Sequence, residues 1–418
     1  MDFRLIYRMV RKITVKKVIS DDAIASCEGE YFNEDWFTAP IAKGYSGGDT
    51  ILREDSDVYT DDGRLLLKFR KNVISKALTD TALRCYRKRA KVRDANRGAA
   101  AGILDIEKLP HHIQEGLNND SLELFNTSKF RTELIVTNGP PGQFASLTNG
   151  NVSRTRVSNL APSNIAGYFD VGLRGNGSRR GTIPCRLTSF TQNNPELWNQ
   201  SLPFLQRCDE LFQQLVPERH HKQWIKTNLV PEFAINNTAF STVTLNYSWR
   251  TALHRDAGDF KEGFGNLIVI EDDANPNRYE GCYIGFPQYK IAVDVRTGDF
   301  LAMDVHEWHC NTEFVPIDDS DPSRRTPTRT SPGARWKSTT LREWRYNRLS
   351  IVCYLRDNMI KCRRSTHGAM WQQKSGSDVT QSELDELEQK YHKLYRSRNK
   401  YRNPGRLVDD QSSIINHR

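Results

Sequence analysis

The segment Leu253-His-Arg-Asp-Ala-Gly-Asp259 sets an imidazole and a carboxylate two residues apart. On a strand, residues i and i+2 project from one face, so His254 and Asp256 can reach one metal ion. An HxD pair arises often by chance, and its meaning depends on a further ligand. Candidates are His306 and His309, in Gly298-Asp-Phe-Leu-Ala-Met-Asp-Val-His-Glu-Trp-His-Cys-Asn-Thr312. Two imidazoles and one carboxylate leave coordination positions open, the arrangement suited to non-heme Fe(II) and oxygen chemistry. Arg348, in Tyr346-Asn-Arg-Leu-Ser-Ile-Val-Cys-Tyr-Leu-Arg356, opens a β-type run. A guanidinium there can hold the distal carboxylate of a dicarboxylate through paired N–H···O bonds, with Arg356 as the fallback.

These residues need strands to position them. From residue 239 onward short β-rich segments recur at 240–247, 250–255, 266–271, 279–286, 289–294, 299–304, 308–314 and 348–356. Short strands separated by Gly, Pro and Asp indicate a sandwich or barrel, not an alternating βαβ fold. The HxD pair falls on the second run, the later histidines near the seventh and Arg348 on the eighth. Upstream, 57–70 reads as a hairpin turning at Asp62-Gly63, and 75–93 as a helix capped by Ser75. Asn194-Pro-Glu opens a helix to Leu215, and Thr380 with Glu383 makes a capping box for a helix over 380–402. Residues 138–182 are loop-like, and 316–345 read as a flexible basic insertion. Arg97-Gly-Ala-Ala-Ala-Gly102, a small-residue run following arginines, suits close backbone packing or anion approach, packing being the preferred reading.

Bulk properties narrow the class. The chain has 418 residues, 37% hydrophobic and 27% charged, with a net charge of +9. No apolar run is long enough for a membrane span, and 1–17 lacks the unbroken apolar stretch of a secretory signal. The cysteines form no CxxC pair, which disfavours a paired-cysteine zinc site and suits a reducing compartment. Basic residues cluster: seven against one acid from Arg84 to Arg97, and eight against one from Pro322 to Arg348. Such clusters fit a polyanionic partner, though solvated faces are an equal reading.

The stretch Cys282-Tyr-Ile-Gly-Phe-Pro-Gln-Tyr-Lys-Ile-Ala-Val-Asp-Val-Arg-Thr-Gly-Asp-Phe-Leu-Ala-Met-Asp, its following histidines and Arg-Leu-Ser-Ile-Val-Cys-Tyr-Leu-Arg356 together resemble Fe(II)/2-oxoglutarate-dependent dioxygenases. More narrowly they resemble the TET/J-binding-protein group, which oxidises the 5-methyl group of thymine or 5-methylcytosine in DNA. The resemblance implies an α+β chain: a double-stranded β-helix (jelly-roll) oxygenase domain over 185–360, flanking helices, an α/β N-terminal extension over 1–184, and a helix and tail over 361–418. It makes His254, Asp256 and His309 the iron ligands and Arg348 the 2-oxoglutarate anchor. His309 is preferred to His306 because Cys-Asn-Thr after it resembles the small residues following the family's ligand. Tyr247 is expected at the cosubstrate, and Asn246, Trp249, Arg250 and Asp259 near the substrate. Implied cosubstrates are 2-oxoglutarate and O2, with ascorbate in a variant. DNA is the expected partner, and the setting intracellular: nucleus or another DNA-containing compartment, or host cytoplasm for a virus. A prolyl-type protein hydroxylase and an inactive nucleic-acid-binding β-helix are the rival readings.

Overall fold

The computed structural model describes residues 9–39, 50–136, 155–170, 185–317, 346–364, 371–373 and 381–400. Most of the 138–182 loops, the 318–345 part of the basic insertion and Thr380 of the capping box lie outside these residues. No described helix is long and apolar enough to cross a membrane.

The architecture is mixed α/β around two sheets. The larger has nine strands in the order Arg11–Val15, Ser56–Thr60, Leu65–Arg70, Phe300–Met303, Gly265–Glu271, Arg348–Tyr354, Thr242–Tyr247, Ser163–Asp170 and Cys185–Leu187. The smaller joins Cys310–Asn311, Ile284–Phe286, Ile291–Val293 and Ile51–Leu52. Strands from residues 11–70 thus lie in the same sheets as the HxD-bearing half. The Ser56–Thr60 and Leu65–Arg70 pair forms the expected hairpin, with Gly63 at φ 84°, a left-handed position favouring glycine.

Strand alternation divides the large sheet into two faces. Val243, Leu245, Tyr247, Ile268, Ile270, Leu349, Ile351 and Cys353 pack under Phe204, Leu205, Leu211 and Phe212 of the helix Pro195–Leu215, joined by Ala82 and Tyr86 of Lys76–Ala90. The opposite face sets Leu267, Val269, Leu301 and Met303 against Ile284, Phe286, Ile291 and Val293 of the small sheet. Fully burying one such side chain contributes roughly 1.5–3 kcal/mol, so each face fixes its strand register against a one-residue slip.

Two expectations need correction. Residues 250–255 form no strand: His254 makes only an isolated bridge to His309. Their N–H groups go to separate partners, Ala252 to the Ala100 carbonyl, Leu253 to Glu30 and Asp256 to Val305. The helix Pro217–Asn228 follows Pro195–Leu215, with His220, Gln223, Trp224 and Thr227 buried. Cysteine pairing also differs from what a reducing compartment suggests, because Cys185 is disulfide-bonded whereas Cys85, Cys208 and Cys353 are free.

Candidate metal centre

The isolated bridge is what brings the chemistry together. His254 N–H donates to the His309 carbonyl and His309 N–H to the His254 carbonyl, both at 3.0 Å, so the rings sit side by side with centroids 4.3 Å apart. Asp256 is anchored next door through its N–H to Val305. His254 Nε2 lies 3.4 Å from Asp256 Oδ1, and His309 Nε2 4.0 Å from Asp256 Oδ2. The three potential ligand atoms lie within 4.8 Å of one another. His306 is not in this group: it faces the Asp259 carbonyl at 3.2 Å and the Asp304 carboxylate at 3.3 Å.

The donor set fits an ion. His254 Nδ1–H donates to the Ala252 carbonyl at 2.8 Å and His309 Nδ1–H to Glu307 at 2.9 Å. A carbonyl only accepts, so each Nδ1 carries the proton and each Nε2 lone pair faces the cluster, the tautomer a metal needs. Electrostatics agree. Burial, reinforced by the neighbouring His254, pushes His309 down to about 4. Burial works to raise the Asp256 carboxyl, but the His254 hydrogen bond and His309 outweigh it and bring it down to about 2. Burial opposes charge on His254 too, yet its bond and attraction to Asp256 leave it raised. Two imidazoles and one carboxylate form a donor set in which a cation can take the place of a proton.

The cluster lies in a cavity of about 900 Å³, within the range of small-ligand sites. Asn246, Ser350, Val352 and Tyr354 of the large sheet form one wall, with Trp249 and Thr251 beside them. Arg97, Phe130 and Arg131 from the N-terminal region form another. Ser163 Oγ–H donates to Asn246 Oδ1.

Arg348 shares its strand face with Ser350, Val352 and Tyr354. It is 2% exposed, yet its Nε and Nη2 have no hydrogen-bond partner among the described residues. The Tyr279 hydroxyl is also buried and unpartnered, with its phenol pushed up by burial while the nearby Arg348 cation opposes the rise. Guanidinium N–H groups and a nearby phenol O–H are donors of the kind that can hold a carboxylate.

The remaining sequence candidates separate. Tyr247 faces away from the cavity: its hydroxyl donates to Asp272 Oδ2 at 2.6 Å on the helix-covered side, because odd-numbered residues of Thr242–Tyr247 point there. The cosubstrate assignment of Tyr247 is corrected on this ground. Arg250 is a strut, donating to the carbonyls of Asn311 and Phe32 and to Asn33 Oδ1. Asp259 lines the cavity with a buried, unpartnered Oδ2, and burial, with Asp256 adding, pushes its carboxyl well up against the pull of Arg356. Arg356 also lines the cavity and stacks over Phe169 at 4.3 Å.

Sequence reasoning missed Arg97 and Tyr279. Arg97 lies close enough to Asp256 to help lower its carboxyl, and its Nε is unpartnered. The available signal was an arginine heading a run of small residues, which lets its backbone sit close to neighbours. Nothing local in the sequence distinguishes Tyr279.

Comparison with known proteins follows the same region. Residues 165–357 match Tet_JBP, the oxygenase domain of the 2OGFeDO superfamily. The bifunctional helicase and thymine dioxygenase JBP2 of Leishmania tarentolae is 33% identical over 214 residues, 51% of this chain and 16% of that protein. Thymine dioxygenase JBP1 of Leishmania braziliensis is 34% identical over 166 residues, 39% of this chain and 19% of that protein. The matched part is therefore less than a fifth of the length of either curated relative. Among solved structures, NgTET1 in complex with 5mC DNA is 11% identical at a TM-score of 0.36, covering 81% of this chain and 92% of that one.

Proposed function

Since residues 165–357 match Tet_JBP, the oxygenase domain of the 2OGFeDO superfamily, we propose that the protein is a member of that family, an Fe(II)/2-oxoglutarate-dependent dioxygenase that oxidises the 5-methyl group of thymine or 5-methylcytosine in DNA. The observation that carries this reading is the His-Asp-His cluster with its Nε2 atoms turned inward, and it is supported by a buried arginine, on the strand whose Ser350 and Val352 line the same cavity, with Nε and Nη2 unpartnered among the described residues. The superfamily implies Fe(II), 2-oxoglutarate and O2. In this reading the two facing sheets are the double-stranded β-helix, with residues 1–184 built onto it as an extension and residues 361–418 as its outer helix and tail.

His254, Asp256 and His309 would hold the iron, and Arg348 with Tyr279 would bind the distal carboxylate of 2-oxoglutarate. Iron, 2-oxoglutarate and O2 together would supply the chemistry that hydroxylates a methyl C–H, one oxygen atom of O2 going to the new hydroxyl and the other to succinate, with CO2 released. The rest is the work of the chain. The Ala252 and Glu307 carbonyls fix the imidazole tautomers. The apolar wall of Leu267, Ile284, Met303 and Val352 limits water at the site. Asn246 and Asp259, on the cavity surface, can read a base edge. Trp249 offers a ring for stacking. A methyl inside a duplex is reachable only when the nucleotide swings out, and Arg97, Arg131, Arg186 and Arg255 around the cavity suit the phosphates on either side.

The test is nucleoside mass spectrometry on thymine- and 5-methylcytosine-containing DNA incubated with protein, Fe(II) and 2-oxoglutarate, with His254→Ala as control. Hydroxymethyl nucleosides formed only by the unsubstituted protein are expected. Succinate formation without any change in either DNA would remove the base substrate, and absence of both would remove the enzyme.

A further inference from the structure

A second group of metal-type side chains lies far from this chemistry in the sequence, where the helix Gln381–Lys400 docks on Pro217–Asn228. His221 projects from the latter, and Glu388 and His392, one turn apart, from the former. His221 Nε2 is 3.9 Å from Glu388 Oε1, and His392 Nε2 is 3.8 Å from the same oxygen. All three potential ligand atoms fall within 4.8 Å of one another. His221 Nε2 is buried and has no hydrogen-bond partner among the described residues, although it lies next to this group.

We propose that His221, Glu388 and His392 form a second divalent-cation site, of the Zn(II) class, that fastens the C-terminal helix to the helix Pro217–Asn228. Two imidazoles and one carboxylate are an established zinc donor set, and nitrogen-rich sites favour Zn(II) over Mg(II) or Ca(II). Ligand atoms on a tetrahedral zinc at about 2.1 Å lie about 3.4 Å apart. The separations of 3.8 and 3.9 Å therefore close with shifts of a few tenths of an ångström. The i, i+4 spacing of Glu388 and His392 presents both from one helix face. His221 is already oriented, because its ring stacks on Tyr391 with centroids 4.2 Å apart and planes 19° from parallel.

The geometry gives the ion a mechanical role. Tyr391 is the plug of this seam: 4% exposed, its hydroxyl meets His220 Nδ1 at 3.2 Å and its ring lies 5.5 Å from Trp224. His220 is held in turn by Asp209 at 2.9 Å. Zinc ligated one residue from Tyr391 on one helix and one residue from His220 on the other locks that plug in place. The same helix carries Gln223, which accepts from Phe264 N–H and donates to the Ala239 carbonyl, so the clamp braces the end of the segment that follows Asp256 and Asp259.

The experiment uses the full chain with His254→Ala and Asp256→Ala, which disables the first cluster, stripped of metal by a chelator. Zinc is titrated by calorimetry, and amide exchange is followed over 381–393 with and without it. One zinc per chain and slowed exchange in that helix are expected. Adding His392→Ala should weaken binding by more than about 100-fold, beyond what outer-shell changes cost, and abolish the slowing. Glu388→Gln, nearly isosteric, should weaken binding while circular dichroism holds the helix content unchanged. No zinc bound by the starting chain, binding indifferent to His392 and Glu388, or exchange over 381–393 unmoved by zinc would each overturn the proposal.

Discussion

Replacing Arg348 by methionine should have opposite effects on the empty and the ligand-bound protein. In the empty protein Arg348 is buried with Nε and Nη2 unpartnered. An unsatisfied buried donor costs about 1–3 kcal/mol, and a flexible apolar side chain of similar length removes that cost. The empty Arg348→Met protein should therefore be at least as stable as the original. With 2-oxoglutarate bound the sign reverses. Truncating one partner of a buried charge-assisted pair costs about 2–5 kcal/mol, which at 1.4 kcal/mol per decade is an affinity loss of roughly 30-fold to several thousandfold. At 100 times its dissociation constant a ligand stabilises by about 2.7 kcal/mol; a 30-fold weaker one at the same concentration gives about 0.9 kcal/mol. Urea unfolding of the anaerobic Fe(II) protein, with and without 2-oxoglutarate, measures both. Equal stabilisation of the two proteins, or an empty variant weakened by more than about 3 kcal/mol, would refute the reasoning.

Further expectations concern residues near the cluster. Tyr247→Phe should lose about 1–3 kcal/mol of stability, because it strips Asp272 of the hydroxyl donor, while leaving 2-oxoglutarate affinity unchanged by calorimetry. A raised dissociation constant would return Tyr247 to the cosubstrate site. His306 is raised from the ordinary imidazole value, chiefly by its bond to Asp304. Its contribution to stability is therefore present below that value and lost as pH rises through the folded one. His306→Asn should accordingly show its deficit at acidic pH and lose it as pH rises through the folded value, in urea titrations across pH, with iron binding intact. Loss of iron binding in that variant would contradict the ligand set.

The grouping of chemistry was more legible in the sequence than its backbone. The HxD pair and the later histidine named from the sequence do meet in the fold, whereas the reasoning that set His254 and Asp256 on a regular strand failed. The segment takes its hydrogen bonds from Ala100, Glu30, His309 and Val305, partners remote in the sequence that no local pattern reveals. Tyr247 illustrates parity: adjacent to Asn246, it falls on the other sheet face, and only the packed helices show which face is which. Long amphipathic elements were read well, as in Pro195–Leu215, because their apolar stripe is the packing surface itself. Tyr279 and His221 were not read as functional, since their meaning lies in buried polar atoms left without partners, a property of the folded chain.

The central claim is that His254, Asp256 and His309 hold one iron to which 2-oxoglutarate binds. Anaerobic addition of 2-oxoglutarate to the Fe(II) protein should give the visible charge-transfer absorption of a keto acid chelated to iron, and separate replacement of each residue by alanine should abolish it. Persistence of that absorption after loss of any one of the three would contradict the account.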